Sequence, residues 1–147
     1  MTDRWPGPVV VAVDGSPHSQ IVLETAADQA RRADAELVVL HAWDHAQHPG
    51  YAGAGKVDGH SAVEAQAALD RVLAAAEPAL AGLVVRGEIR EGHPERVLRE
   101  AAGAASLLVL GSRGHRGGVS LGSVTRACAG FGLCPVLVVP SHSPRES

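Results

Sequence analysis

Val9-Val10-Val11-Ala12-Val13, leading at once into Asp14-Gly15-Ser16-Pro17, is the stretch whose reading decides the fold. A continuous run of β-branched and small apolar residues has no polar face to give to solvent, so it reads as a strand buried on both sides, as in a parallel sheet. A helix start comes next. Ser16 is placed to cap and Pro17 to occupy the first helical position, and Val22, Ala26, Ala30 and Ala33 then form an apolar stripe opposite Glu24, Asp28 and Arg31.

The same alternation continues along the chain. Glu36 to Ala42 reads as a second strand, and Trp43 to His60, rich in Gly and His without periodicity, reads as a loop. Ser61 and Glu64 fit a capping box, and Ala65, Ala68, Leu69, Val72 and Ala76 set the next helix against a core until Pro78 stops it. Leu83 to Arg90 is a weaker strand pattern. Pro94 opens a short helix carrying Val97, Leu98, Ala101 and Ala102; a strand from Leu107, a glycine-rich loop, a helix from about Ser123 and a last strand at Pro135 to Val139 complete the pattern. Strands alternating with helices predict an α/β fold, an open parallel sheet with helices on both faces. Ligands of such sheets bind beyond the carboxyl ends of the strands, where the winding reverses. Residues just after strands therefore become the candidates: Asp14-Gly15-Ser16 after the first, Gly111 to Gly114 after the fourth.

Bulk properties narrow the function classes. The 147 residues fit a single domain over 1–147, since domains commonly run to roughly 100 to 150 residues, with a core at about 8–140 and a polar tail at 141–147. Only 3% of residues are aromatic against 46% hydrophobic, so the core is aliphatic and alanine-rich. A formal charge of −3 and a pI near 6.2 provide no basic footprint for DNA or RNA. There is no signal-peptide h-region and no apolar run of membrane-spanning length, which leads to the expectation of a cytoplasmic protein without membrane contact. Cys128 and Cys134, six residues apart, match neither a redox pair nor half of a zinc site and are expected to be small buried hydrophobes.

Leu107-Leu108-Val109-Leu110-Gly111-Ser112-Arg113-Gly114, with Gly117, Gly118 and then Gly122-Ser123-Val124-Thr125, is the second informative stretch. An apolar strand ending in glycines before a new helix start builds a phosphate cradle, because glycine lets backbone approach an anion and the first-turn N–H groups point at it. An ordinary strand-to-helix loop has similar composition, and this segment alone leaves both readings open.

Taken in order, Val11-Ala12-Val13-Asp14-Gly15-Ser16, Leu40-His41-Ala42, Gly92-His93-Pro94, Leu110-Gly111-Ser112-Arg113-Gly114, Gly122-Ser123-Val124-Thr125 and Cys134-Pro135-Val136-Leu137-Val138 resemble the universal stress protein family over nearly the whole chain. The resemblance implies a five-stranded sheet in order 3-2-1-4-5, a stress-response role, a homodimer paired through the last strand and, in one branch, ATP or AMP as ligand, with or without Mg2+. An unidentified regulatory protein partner is implied as well.

For that branch the resemblance assigns Asp14 to the ribose, Ala12 and Val13 to backbone positions lining the base, and Ala42 to an apolar contact on adenine. Leu110 and Gly111 continue the adenosine pocket, and Gly114, Gly122, Ser123, Val124 and Thr125 match phosphate-binding positions. One departure stands out. The family pattern has nine residues between the second and third glycines, whereas His115 to Leu121 supplies seven. The shorter interval bears on the phosphates and leaves the adenosine residues untouched, so AMP and ATP are expected to bind with more similar affinities than a full-length loop would give.

Other features carry less. Asp14 is equally a favoured turn residue on its own chemistry. Gly53-Ala54-Gly55-Lys56 lacks the Ser or Thr and the preceding strand of a phosphate loop, and His45, His48, His41 and His60 have no acidic or cysteine framework for a metal. Arg113 fits a phosphate or a surface carboxylate equally well. For catalysis, Ser112 or Ser123 would need a base, and no G-x-S-x-G elbow is present. ATP hydrolysis needs a positioned water and usually a metal held by carboxylates, for which Asp14 is the sole candidate; slow hydrolysis stays open. Val13-Asp14-Gly15-Ser16 also lacks the S-G-G-x-D-S loop of ATP-dependent amide-forming enzymes. The sequence therefore points to a nucleotide-binding protein acting through conformation or partner contacts. The alternative is a dimeric protein-interaction module whose short loop no longer holds nucleotide.

Overall fold

The computed structural model describes residues 5–43, 62–112 and 134–140. Along the chain these form β1 (Val9–Ala12), α1 (His18–Ala33), β2 (Leu37–Trp43), α2 (Ala62–Ala75), α3 (Glu77–Leu80), β3 (Val85–Glu91), α4 (Pro94–Ala102), β4 (Leu107–Gly111) and β5 (Val136–Val139). All strand pairs are parallel, in the order β3-β2-β1-β4-β5. The chain thus winds outward from β1 to β2 and β3, then crosses back to β4 and β5. The reversal sits between β1 and β4, as the expected order requires, and opens a crevice beyond their C-terminal ends.

Residue alternation along the strands divides the core in two. Val9, Val11, Leu37, Val39 and Val109 face α1 and α2, where they meet Val22, Leu23, Ala26, Ala27, Leu69 and Val72. Val10, Val38, Leu40, Leu108 and Leu110 face the other way, against Val97, Leu98 and Ala102 of α4. Helices therefore cover both faces. The alanines of α1 let that helix lie close to the sheet, and Leu23, fully buried, fills the space between them. β3, at one edge, buries less and carries charge instead: Arg86 pairs at 3.0 Å with both Glu36 and Glu88. Charged residues on an edge strand discourage pairing with another chain, and they explain why this strand reads weakly as an apolar pattern.

Several boundaries differ from the sequence expectation. α1 begins at His18, with Pro17 in the capping position and no side-chain cap; the Ser16 carbonyl, not its hydroxyl, accepts from the Ser19 N–H at 2.9 Å. The physical reason is that the Ser19 N–H, the donor a Ser16 hydroxyl would cap, is already taken by the Ser16 carbonyl, in a turn that Asp14 closes by accepting the Ser16 N–H at 2.9 Å. Pro78 does not merely stop a helix. It lies in the first turn of the short α3, where its missing N–H costs nothing. Arg31 on α1 then donates to the Ala79 and Ala81 carbonyls at 2.9 and 3.1 Å, which holds α3 in place. Ala68 and Ala101 are half-buried rather than core residues.

Cys134 likewise is only half-buried and is a free thiol, and burial pushes it above its ordinary range against a smaller opposing effect from a backbone hydrogen bond at Leu108. Cys128, the Ser61 cap, the helix expected from Ser123, most of the 43–60 loop and the 141–147 tail lie outside the described residues.

Truncating a fully buried leucine removes its transfer energy and leaves a cavity that close-packed helix and sheet backbones cannot fill. Leu23→Ala is therefore expected to lower stability by about 2 to 5 kcal/mol. Urea unfolding checks it, with a lower midpoint and an unchanged slope.

Candidate functional site

The crevice is built where the apolar strands run out and backbone polar groups need partners. Val13 still donates its N–H to the Leu40 carbonyl at 2.9 Å, and its own carbonyl meets Nδ1 of His41 at 3.0 Å. A carbonyl only accepts, so His41 carries its proton on Nδ1. Beyond Val13 the chain must turn sharply into α1, and Gly15 does so at φ +84°, a region that side chains disfavour.

Asp14 organises this turn. Its Oδ1 accepts from the Ser16 N–H at 2.9 Å and from the Ser19 hydroxyl at 3.0 Å, while its own N–H donates to Ser19 Oγ at 3.1 Å. Asp14 is thus the turn residue that its chemistry favours. Its second oxygen, however, is unused: Oδ2 is buried and has no hydrogen-bond partner among the described residues. An unpaired buried carboxylate oxygen is costly, and such an atom at the mouth of a ligand crevice is a standing acceptor.

Beside it lies a shelf of small residues. Ala12 pairs with Leu40, and Leu110 lies beside Ala12 one step beyond the Val11–Val109 pair. Ala42 is two residues past Leu40 and so shares its face. Leu110 is fully buried, whereas Ala12 and Ala42 pack on the α4-facing core and remain partly exposed.

Across the crevice, Gly111 ends β4. A Cβ on it would lie 3.0 Å from the His18 ring and 3.2 Å from Val22, so any larger residue would push these side chains aside by a few tenths of an ångström. The next residue, Ser112, donates its N–H to the Val139 carbonyl at 3.0 Å.

The structure therefore brings Ala12, Val13, Asp14, Ala42, Leu110 and Gly111 to one end of the sheet, as expected. Val13 differs in one respect: its side chain faces the α1 core and its N–H is already paired, which leaves only its carbonyl able to take a further donor. Gly114, Gly122, Ser123, Val124 and Thr125 lie outside the described residues, together with Arg113, the interval His115 to Leu121, Gly53 to Lys56, His45, His48 and His60. Among the described residues, no group of three or more His, Cys, Asp or Glu could hold a metal, and no helix is long and apolar enough to cross a membrane.

Sequence reasoning missed three polar residues. Ser19, 4% exposed, is the buried partner of Asp14, and His18 sits over Gly111. His93 caps α4 by accepting the Glu95 N–H at 3.1 Å. A Ser three residues after Ser16 is a readable helix-start signal; His18 and His93 have no such pattern.

The sequence profile of the universal stress protein family matches residues 7–140. This chain belongs to that family. A universal stress protein of Mycobacterium tuberculosis is 37% identical over 136 residues, covering 89% of this chain and 43% of its own length; the chain spans about half the length of the curated relatives it matches. Among solved structures, a universal stress protein in complex with cAMP has a TM-score of 0.65 at 25% identity, covering 92% of this chain and 98% of that one. A universal stress protein from Archaeoglobus fulgidus in complex with dAMP, at 22% identity and TM-score 0.65, covers 90% of this chain and 97% of that one and shares its fold.

Within this universal stress protein domain, Ser19 both donates to and accepts from Asp14, so its loss leaves two polar groups short of a partner. Ser19→Ala is expected to cost about 1 to 3 kcal/mol, measured by chemical denaturation, with the change centred on the Asp14 turn in amide chemical shifts.

Proposed function

We propose that this universal stress protein domain binds an adenine nucleotide, ATP or AMP, in the crevice beyond β1 and β4, and that it works by altering conformation or partner contacts rather than by turnover. The observation that carries this reading is Asp14 Oδ2. Among the described residues this buried acceptor has no donor, and a ribose hydroxyl is a donor of the right size and chemistry for it. Oδ1, tied to Ser16 and Ser19, fixes the orientation of the carboxylate.

The neighbouring residues fit the rest of an adenosine. Ala12 and Ala42 provide a flat apolar surface for a purine face, with Leu110 and Gly111 completing that side, and the spare lone pair of the Val13 carbonyl suits an exocyclic amino group. Gly114, Gly122, Ser123, Val124 and Thr125 are the residues proposed to meet the phosphates. Their shortened spacing favours affinities for AMP and ATP more similar than a full-length loop would give. Any Mg2+ would arrive with the phosphates, since the described residues provide no metal cluster. The cAMP complex of a relative is consistent with the ligand class.

Asp14→Asn keeps a carbonyl oxygen for the turn but replaces the acceptor facing the ligand with an amide. A hydrogen bond to a charged group contributes about 1.5 to 3 kcal/mol, so adenosine nucleotides are expected to bind roughly ten- to a hundredfold more weakly. Calorimetric titration of AMP, ADP and ATP tests this, beside mass spectrometry of nucleotide released from freshly purified protein. Equal affinity for a folded variant and the wild type would reject the assignment.

The proposal includes a homodimer through β5. That strand lies at the open edge of the sheet, and Val138 on it is 38% exposed, a position apolar enough to seek a partner strand. Light scattering at micromolar concentration is expected to give a dimer for the wild type and a monomer for Val138→Lys. A monomeric wild type would remove this part of the proposal.

A further inference from the structure

The backbone ladder between β1 and β2 ends at the Ala12–Leu40 pair, although β2 runs on to Trp43 against β3. Val13, the first residue past that end, still donates its N–H to the Leu40 carbonyl at 2.9 Å. In an extended chain the N–H and C=O of one residue point to the same neighbour, so the Val13 carbonyl also points toward β2. There it meets a side chain: Nδ1 of His41 donates to it at 3.0 Å and supplies the bond that the ladder no longer makes. Side chains alternate along β2, and Leu40 and Ala42 belong to the face covered by α4, so His41 projects from the opposite face. The ring therefore reaches the Val13 oxygen from the side of α1 and α2, and the side on which Ala12 and Ala42 lie stays clear of the imidazole. The other end of the same peptide group is held as well, because the Asp14 N–H donates to Ser19 Oγ at 3.1 Å.

We propose that His41 is a positioning residue for the base: together with Ser19 it clamps the peptide between Val13 and Asp14, fixing the Val13 carbonyl in the direction from which it accepts an exocyclic amino group, and so it sets a preference for purines that carry a 6-amino group. The inference rests on the nucleotide-binding reading of the crevice. One hydrogen bond leaves a peptide plane free to rock about it, whereas two bonds at its opposite ends fix its tilt. Hydrogen bonds weaken steeply as their angle closes, so a carbonyl held in one direction rewards a correctly placed donor and a rocking one does so far less.

AMP and purine riboside 5′-monophosphate differ only in the amino group at C6, so sugar and phosphate contacts cancel in the ratio of their affinities. The test is calorimetric titration of both against the wild type, His41→Leu and His41→Asn, with melting curves and the Val13 carbonyl-carbon resonance of each protein. His41→Leu puts a carbon where Nδ1 was, and His41→Asn returns an N–H donor at the same number of bonds from Cα; His41→Ala gives a second donorless ratio should His41→Leu not fold. The wild type is expected to prefer AMP by about tenfold, and the donorless variant by about twofold or less, with the Val13 carbonyl resonance moving upfield as its donor is lost. His41→Asn is expected to recover most of the preference. A merely structural role would weaken both ligands alike, in step with the melting temperature. That result, a wild type that binds AMP without preferring it, or failure of His41→Asn to recover the preference overturns the positioning role alone. A folded wild type that binds neither ligand overturns the nucleotide-binding reading and this inference with it.

Discussion

The constraint on which this molecule depends is the double-sided burial of β1. Val9 and Val11 are fully buried on one face and Val10 nearly so on the other, so the strand needs hydrogen-bonded neighbours on both edges and helices above and below. A central parallel strand cannot be joined to its neighbours by tight turns; each connection must cross over as a longer segment. Once β1 is central, the first crossovers lead to β2 and β3, and the chain must return past β1 to place β4. The crevice is the by-product of that return.

Burial also sets the polar chemistry of the crevice. Where the ladder ends, carbonyl and amide groups still lie next to a dry core and must be satisfied by side chains. Ser19 and His18 at the start of α1, and His41 at the end of β2, serve this purpose, on Asp14, Val139 and Val13 in turn. The helix start thereby bonds to the ends of β1 and β5, and His41 joins the end of β2 to that of β1. The groups that satisfy the backbone also immobilise the crevice wall, so the stability of the sheet and the preorganisation of the candidate site come from the same hydrogen bonds. Asp14 joins the two roles in one side chain, with one oxygen committed to the turn and the other without a partner among the described residues.

Legibility in the sequence follows the length scale of each interaction. Core strands such as Val9 to Val13 and Leu107 to Gly111 are readable because apolar runs report burial directly. β3 is weaker because an edge strand buries one side less and spends Arg86 and Glu88 on ion pairs with its surroundings. Ser16 reads wrongly as a side-chain cap because its carbonyl, not its hydroxyl, meets the Ser19 N–H, which depends on how tightly the Asp14 turn closes. Pro78 reads as a terminator although it starts the short α3, whose Ala79 is held by Arg31 across 48 positions of the chain.

By itself the sequence determined the parallel α/β class, the location of candidate residues just after strands, and, through an ordered set of short motifs, the family to which the chain belongs. All three rest on local periodicity and on the chemistry of individual residue types, both of which are written along the chain. Only the tertiary structure decided that Asp14 has one committed oxygen and one unpartnered among the described residues, that Ala12 and Ala42 share a face beside a buried Leu110, and that His18 meets Val139 across 121 positions. The reason is physical: whether a polar atom is satisfied depends on what strand pairing and helix packing bring within about 3 Å of it, and residues far apart in the chain carry no local signal of that encounter.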